Sequence, residues 1–436
     1  MQPELVGVIG LLVLFIFIFL EMPIGLAMGL VGFVGIAYIL DFGKGISMLA
    51  IIPFTTMNSY FFAVLPLFLL MGELTTLAGV TEDAYSVVNK WIGHLPGGLA
   101  MVSIGACAGF AAVCGSSAAT AVAMGKVALP EMRRYKYDHR LATGSVAAGG
   151  TLGILIPPSA GFIFYAIMTE QSVAALFMAG IIPGIILTIL LMLTVYVQAK
   201  RNPMLGPAGK RFGWRERFTS LSSAWKMAVL FLLIMGGIWG GLFTPTEAAG
   251  VAAFVAFIFL LIKRQSGMSA MAGTLESVRA TAKVTGLVFL VIIGALIFSG
   301  FMALSRLPMG MANALSGLPW PPMAVLMVIL LLYLFLGCVM ETISMILLTV
   351  PIVFPTVMAL GFDPIWFGVI VVLLQEIAFI TPPIGPNVFA IAAVVPDVPI
   401  YTIFRGVLPF LFAFFIGLAI VIIFPQLSLI LPNTMR

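Results

Sequence analysis

The chain repeats itself at a spacing of about 225 residues, and this constrains its fold more than any other feature. Pro130 opens a short connector that ends at Asp138, and Pro355 opens its counterpart ending at Asp363. Nineteen residues after each Asp comes a proline pair, Pro157-Pro158 and Pro382-Pro383. Ala179-Gly180-Ile181-Ile182-Pro183 is echoed by Arg405-Gly406-Val407-Leu408-Pro409, the offset slipped by one. Matched apolar segments, interrupted at the same places in two halves, are the pattern of transporters built on internal repeats.

Both halves are too apolar for water. The chain is 62% hydrophobic and 8% charged, with a mean hydropathy of +1.20. Membrane-length apolar runs recur throughout, so an all-α polytopic membrane protein is expected. Leu5–Leu20 lacks the basic leader and small-residue cleavage site of a signal peptide and reads as retained. Cys107, Cys114 and Cys338 lie in apolar segments without metal spacing and read as packing residues. Fifteen of the 21 Lys and Arg residues fall in three polar loops, around Arg133–Arg140, Lys200–Lys226 and Lys263–Lys283 (including Arg264), which excludes a nucleic-acid surface and places these loops in the cytoplasm.

With those loops inside, the segments thread as ten crossings and two re-entrant helical hairpins, with both termini outside. The stretch from Gly97 to Leu129 is too long for one straight crossing. It is expected to fold back at Gly115-Ser116-Ser117, and its partner, from Pro321 to Pro355, near Gly337 to Thr342. The connector Met132–Arg140 is basic while Val357–Pro364 has no Lys or Arg, so the repeat is inverted. Gly45–Asn58 and Ser266–Lys283 read as interfacial helices. Residues 1–90 and 227–310 are expected to form a scaffold. Residues 91–197 and 311–436 are expected to carry the transport site, with 198–226 as a basic connector.

Non-helical backbone at membrane depth survives only where protein buries it or a polar cavity meets it. Four such places are expected: the two tips and the two breaks, Thr151–Ser159 and Glu376–Asn387, paired within each repeat. Proline and glycine free backbone carbonyls there, and with Ser and Thr hydroxyls these make an oxygen cage suited to Na⁺. The first ion site is assigned to Gly115, Ser116, Ser117, Thr151, Gly153 and Pro157. The second is assigned to Gly337, Glu341, Thr342, Ser344, Thr381, Pro382, Gly385 and Asn387. Half-helix N-termini favour an anionic substrate, for which Ser117, Ser159, Thr342, Pro383 and Asn387 are candidates. A single Ser or Thr is ordinarily a back-bonded helix residue, and the argument rests on the matched group. Glu73, Glu341 and Glu376 fall in apolar segments and are open to three roles: ion ligand, proton carrier or helix cap. Glu21 and Glu247 flank short Pro-containing turns and read as N-capping or interface-pairing residues. Lys126 on the first return arm is open to two roles, snorkelling to the cytoplasmic surface or meeting an anion in the cavity.

Cys-Gly-Ser-Ser-Ala-Ala-Thr-Ala (114–121), Ile-Pro-Pro-Ser (156–159), Thr-Pro-Thr-Glu-Ala-Ala-Gly (244–250) and Ile-Thr-Pro-Pro-Ile-Gly-Pro-Asn (380–387) resemble the large membrane subunit of tripartite ATP-independent periplasmic (TRAP) transporters over essentially the whole chain. The resemblance implies an elevator transporter of the bacterial inner membrane, driven by Na⁺, with ion sites at the tips and breaks. It implies uptake of an organic acid, such as a C4-dicarboxylate, keto acid or sialic acid, delivered by a periplasmic binding protein. Too few residues precede Glu21 to hold a fused partner, so a separate small four-helix subunit is expected. A stand-alone carboxylate symporter is the alternative. An intramembrane enzyme would need a nucleophile–base pair or a metal cluster, and the two histidines, His94 and His139, lie in connectors.

Overall fold

The computed structural model describes residues 2–263, 270–317, 319–338 and 340–435, and all secondary structure among them is helical. The first half runs α1 (Pro3–Phe19), α2 (Ile24–Ile39), α3 (Phe42–Met57), α4 (Val64–Leu77), α5 (Val80–Ile92), α6 (Gly98–Cys114), α7 (Ser117–Arg134), α8 (His139–Leu155), α9 (Ala160–Thr169) and α10 (Val173–Arg201). After α11 (Trp214–Leu221), α12 (Trp225–Phe231) passes through a π-helical turn into α13 (Gly237–Trp239), followed by α14 (Pro245–Ile262) and α15 (Ala270–Ser305). Then come α16 (Leu307–Ser316), α17 (Pro322–Gly337), α18 (Thr342–Ala359), α19 (Pro364–Ile380), α20 (Pro386–Val394), α21 (Ile400–Ile423) and α22 (Gln426–Asn433). Thus α6–α7 and α17–α18 are the two hairpins, and α8–α9 and α19–α20 the two broken helices.

Helix ends follow local chemistry. Asp138 and Asp363, the matched residues of the repeat, each cap the helix that follows: Asp138 accepts from Arg140 N at 2.8 Å, Asp363 from Ile365 N at 2.8 Å and Trp366 N at 2.9 Å. Thr244 and Glu247 form a capping box at α14. Glu21 sits in a turn with φ +61°. Lys126 is exposed on α7.

The halves interlock by exchanging helices. α2 packs along α15, and α4 along α14. At the first crossing glycines bring backbone onto backbone: a Cβ on Gly25 would lie 2.7 Å from the Leu290 carbonyl oxygen, and one on Gly32 2.8 Å from Phe298 N. At the second, Ala248, Ala249, Ala252, Ala253 and Ala256 are buried. Lipid supplies no hydrophobic drive between helices, so such small residues associate them through close packing.

The structure bears on three expectations. Seven described helices are long and apolar enough to span a membrane, eight if Trp214–Leu221 and Trp225–Trp239, bent by 46°, count as one span. One of these, α18, is a hairpin arm, and three of the ten expected crossings, α1, α2 and α19, fall just short of that length with 17, 16 and 17 residues, about 25 Å of helix. Second, α3 is a separate helix, but the described part of its expected counterpart is the beginning of the unbroken α15. Asn58-Ser59 ends α3, whereas nothing between Met271 and Val284 breaks the backbone. Arg264 and residues 266–269 lie outside the described residues. Third, the breaks are shorter than expected: α8 stays helical through Thr151 and Gly153 to Leu155, and α19 through Glu376 to Ile380. The cause is that helix is lost only next to the prolines, which remove the N–H.

The connector after α10 is stitched to the base of the first hairpin. Gly97 N donates to the Gly206 carbonyl at 2.9 Å, Gly209 N to that of Gly93 at 2.9 Å, and the Tyr137 hydroxyl to that of Pro207 at 2.7 Å.

Candidate functional site

The tip of the first hairpin is a two-residue reversal. Gly115 takes φ +67°, a left-handed conformation that favours glycine, and a Cβ there would lie 2.9 Å from the Pro158 carbonyl oxygen. Ser116 is extended and caps α7, its Oγ accepting from Ala119 N at 3.4 Å. The Gly115 carbonyl accepts from Ala160 N at 3.4 Å, which ties the tip to the break between α8 and α9. A Cβ on Gly153 would be 2.5 Å from the Ser116 carbonyl oxygen, and one on Gly150 2.5 Å from the Ala121 Cβ. Ser117, fully buried, donates toward the Thr151 carbonyl at 3.0 Å. The structure therefore gathers Gly115, Ser116, Ser117, Thr151 and Gly153 beside the buried Pro157-Pro158 pair, whose peptide bond is cis. The Thr151 hydroxyl itself is back-bonded to the Ala148 carbonyl at 2.7 Å, so Thr151 offers its carbonyl to the tip.

The second group is spread more widely. Glu341 is extended at the N-cap of α18 and makes no side-chain capping bond. Thr342 and Ser344 are buried in the first turn of α18. A Cβ on Gly337 would meet the Ala378 Cβ at 2.7 Å. The Thr381 hydroxyl is back-bonded to the Ile377 carbonyl at 2.6 Å. Gly385 takes φ +56° ahead of α20, while Pro382 and Pro383, also joined by a cis bond, are exposed. Asn387 is buried and reaches into the other repeat, its Nδ2 donating to the Ala147 carbonyl at 3.2 Å.

The pairing by repeat expected from sequence is thus incomplete. Glu376, buried in α19, bonds the first tip: its Oε1 and Oε2 lie 3.0 and 2.9 Å from Ser117 Oγ. Asn387 crosses in the same direction. Thr120 and Gln375, not singled out from sequence, are also buried at this level, and Thr120 Oγ1 and both Gln375 amide atoms have no protein partner. The adjacent Gln375-Glu376 pair inside an apolar run was the available signal. Glu73 is half-buried on α4. Its neighbour Gly72 faces the first tip, where a Cβ would lie 3.2 Å from the Cys114 carbonyl oxygen.

Both tips open onto one cavity of about 340 Å³. Its polar wall is made of Ser116, Ser117, Ser159, Glu341 and Thr342, with Pro158 and Pro386 beside them. Aliphatic and aromatic residues of α4 and α15, among them Leu65, Phe68, Leu287 and Val291, close the other side. Of the proposed substrate residues, Ser117, Ser159 and Thr342 line it, and Pro383 and Asn387 do not. Four helices, α7, α9, α18 and α20, point their N-termini at this space. Each carries about half a positive charge at that end, and α7, α9 and α18 keep first-turn N–H groups beyond those bonded by their caps, whereas α20 opens on Pro386, which has none. Among the described residues no Lys or Arg lines the cavity, so these dipoles are its positive charge.

Such paired hairpins and broken helices around one cavity are the architecture of a multi-pass transporter. Residues 11–427 match the family described as "Tripartite ATP-independent periplasmic transporter, DctM component", and the chain belongs to that family. It is 39% identical to the C4-dicarboxylate TRAP transporter large permease protein DctM of Pseudomonas aeruginosa, over 88% of this chain and 89% of that one. It is 35% identical to the sialic acid TRAP transporter large permease protein SiaM of Vibrio cholerae, over 99% and 98%. A third relative, the ectoine/5-hydroxyectoine large permease UehC of Ruegeria pomeroyi, is 32% identical over 84% and 85%. Among solved structures, the YdaH transporter of Alcanivorax borkumensis shares the fold, with a TM-score of 0.56 at 16% identity and 98% of each chain covered.

Proposed function

We propose that this chain takes up a small organic acid across the bacterial inner membrane, driven by a Na⁺ gradient. The observation that carries the reading is the convergence of four helix N-termini and the hydroxyls of Ser116, Ser117, Ser159 and Thr342 on one cavity. N–H groups and dipoles aimed at a common space bind carboxylate without a fixed counter-charge. The named substrates of its relatives, C4-dicarboxylates and sialic acid, are of this class.

Na⁺ requires oxygen ligands, and the donor set fits. The Thr120, Thr342 and Asn387 side chains each hold a buried oxygen with no protein partner, as does Gln375. Residues Gly115–Ser117 with Thr151, Gly153 and Pro157 would hold one ion. Gly337, Glu341, Thr342 and Ser344 with Thr381, Pro382, Gly385 and Asn387 would hold the other. Binding at both orders the tips and completes the anion site, so ion and substrate affinities rise together.

In this reading residues 1–90 and 227–310 stay fixed while residues 91–197 and 311–436 slide as an elevator. The aliphatic wall of α4 and α15 beside the cavity supports that division, because it offers a sliding element no polar partner to break. A small four-helix membrane subunit completes the fixed part, a periplasmic binding protein delivers the substrate, and both termini face the periplasm.

The test is uptake of labelled organic acids into proteoliposomes holding this chain and its small subunit. Uptake that requires both an inward Na⁺ gradient and the binding protein is expected. Uptake with Na⁺ alone would make the chain a stand-alone symporter. Uptake indifferent to Na⁺ would remove the ion coupling.

A further inference from the structure

The short helix α11 wears its apolar side outward. Trp214, Phe218 and Leu221 recur at helical spacing on its exposed side, the first two 67% and 60% exposed, and the exposed Trp225 extends the stripe. The side that packs on the protein is the polar one. Arg217 and Ser220 are buried, and Arg217 Nη2 meets His94 Nδ1 at 3.4 Å. In water such a helix would be inside out, but it has the amphipathicity of one lying in a membrane interface. Its direction agrees, because α11 is bent by 46° away from the apolar segment Trp225–Trp239 that follows. The aromatics form one surface: the Phe218 ring lies 6.2 Å from that of Trp214 and 5.7 Å from that of Trp91 on α5.

Three cations adjoin the stripe along the chain. Lys210, Arg211 and Arg215 are exposed, and no ion pair among the described residues includes them. The acid on α11, Glu216, is engaged in capping, its Oε2 accepting from Gly213 N at 2.9 Å. A free phosphate would pair the cations and leave the stripe in water. A neutral lipid would cover the stripe and leave the cations unpaired. An anionic phospholipid satisfies both, its headgroup against the cations and its acyl chains against the stripe, and the cytoplasmic leaflet supplies such lipids.

We propose that α11 and the residues leading into it form a binding site for anionic phospholipid of the cytoplasmic leaflet. The site stands at a joint. Before it, Gly206 and Gly209 are bonded to the base of the first hairpin. After it, Lys226 donates to the Ala78 carbonyl at 3.4 Å and to Asp83 at 3.2 Å, at the turn between α4 and α5. Bound lipid sets the depth of the segment that links the sliding part to the fixed part. This rests on the transporter reading above and on the cytoplasmic placement of the basic loops.

The experiment is tryptophan fluorescence of the full chain in vesicles of phosphatidylethanolamine and phosphatidylglycerol at fixed composition. Bromine quencher is placed on the acyl chains of one lipid or of the other. The part of the signal lost in W214F belongs to Trp214. Brominated phosphatidylglycerol should quench that part with about fivefold preference. The triple variant Lys210→Gln, Arg211→Gln, Arg215→Gln should abolish the preference, and it reports through the native Trp214 even where W214F fails to fold. Quenching without preference overturns the proposal, as does a preference that survives the triple variant. A Trp214 shielded from both lipids also overturns it, as does quenching relieved by adding the small subunit, which would make that subunit the occupant. None of these readouts needs transport. Uptake absent from every vesicle while the Trp214 preference persists would count against the transporter reading and leave the lipid site standing.

Discussion

The two hairpins are built alike but seated differently. The first tip lies down on its broken helix, and the Pro157-Pro158 break beneath it is buried. Its return arm, α7, packs along α8. The second return arm, α18, packs chiefly on α16, α9 and α15, and the Pro382-Pro383 break is exposed. The residues under the tips explain the difference. α8 presents Gly149, Gly150 and Gly153, and α19 presents Leu374, Gln375 and Ala378 at the matched positions. Glycine lets the return arm of the first hairpin touch the helix below, whereas the second hairpin meets α19 through Gly337 on its outgoing arm, where a Cβ would lie 2.7 Å from the Ala378 Cβ. The lesson is that one architecture seats its hairpin on the broken helix by the return arm or by the outgoing arm, according to two or three side chains at the crossing.

The largest effect should come from making the first repeat resemble the second. Gly150→Gln puts a side chain where a Cβ alone would be 2.5 Å from Ala121. Overpacking of this kind costs about 2 kcal/mol. Uptake should fall about tenfold or more, and a cysteine placed at the tip should become more reactive to aqueous thiol reagents. Unchanged uptake and unchanged tip reactivity would sink the comparison.

Next comes the tip itself. Each of Ser116 and Ser117 contributes a hydrogen bond worth about 1 kcal/mol. The Ser116→Ala, Ser117→Ala double variant should raise the Na⁺ needed for half-maximal uptake about tenfold. If the Na⁺ dependence does not move, the pair is not in the ion site.

A smaller change is expected at the strap between repeats. Asn387→Ala removes the bond to the Ala147 carbonyl and should cost about 1–2 kcal/mol. Thermal unfolding of the purified chain measures it, and an unshifted midpoint would make the strap irrelevant to stability.

The least effect belongs to the surface. Arg133 Nη2 lies 2.6 Å from both Asp397 oxygens, and its hydrogen bond holds that carboxyl below the usual carboxylate range. A depressed folded value adds stability above the unfolded value and loses it as pH falls through the folded one, so this pair should matter above about pH 4 and vanish below it. Exposed pairs contribute little, so Asp397→Asn should leave uptake at neutral pH near wild type. A large loss would mean that the contact gates access.

Much of this was legible because breakers act locally. A glycine tip such as Gly115-Ser116, a proline pair and an aspartate cap each set the backbone within a turn of themselves, and each appears twice. The repeat, the hairpins and the sites of both breaks therefore follow from the sequence alone. Tertiary packing decided the rest. Whether α15 runs on from its interfacial start depends on what it leans against, since no residue there forbids helix or commands it. That Ser117 meets Glu376, 259 residues away, and that Asn387 meets Ala147, 240 residues away, could not be read from local pattern. Those contacts exist because the two repeats are folded into one another, and only the folded chain brings such distant side chains within hydrogen-bond reach.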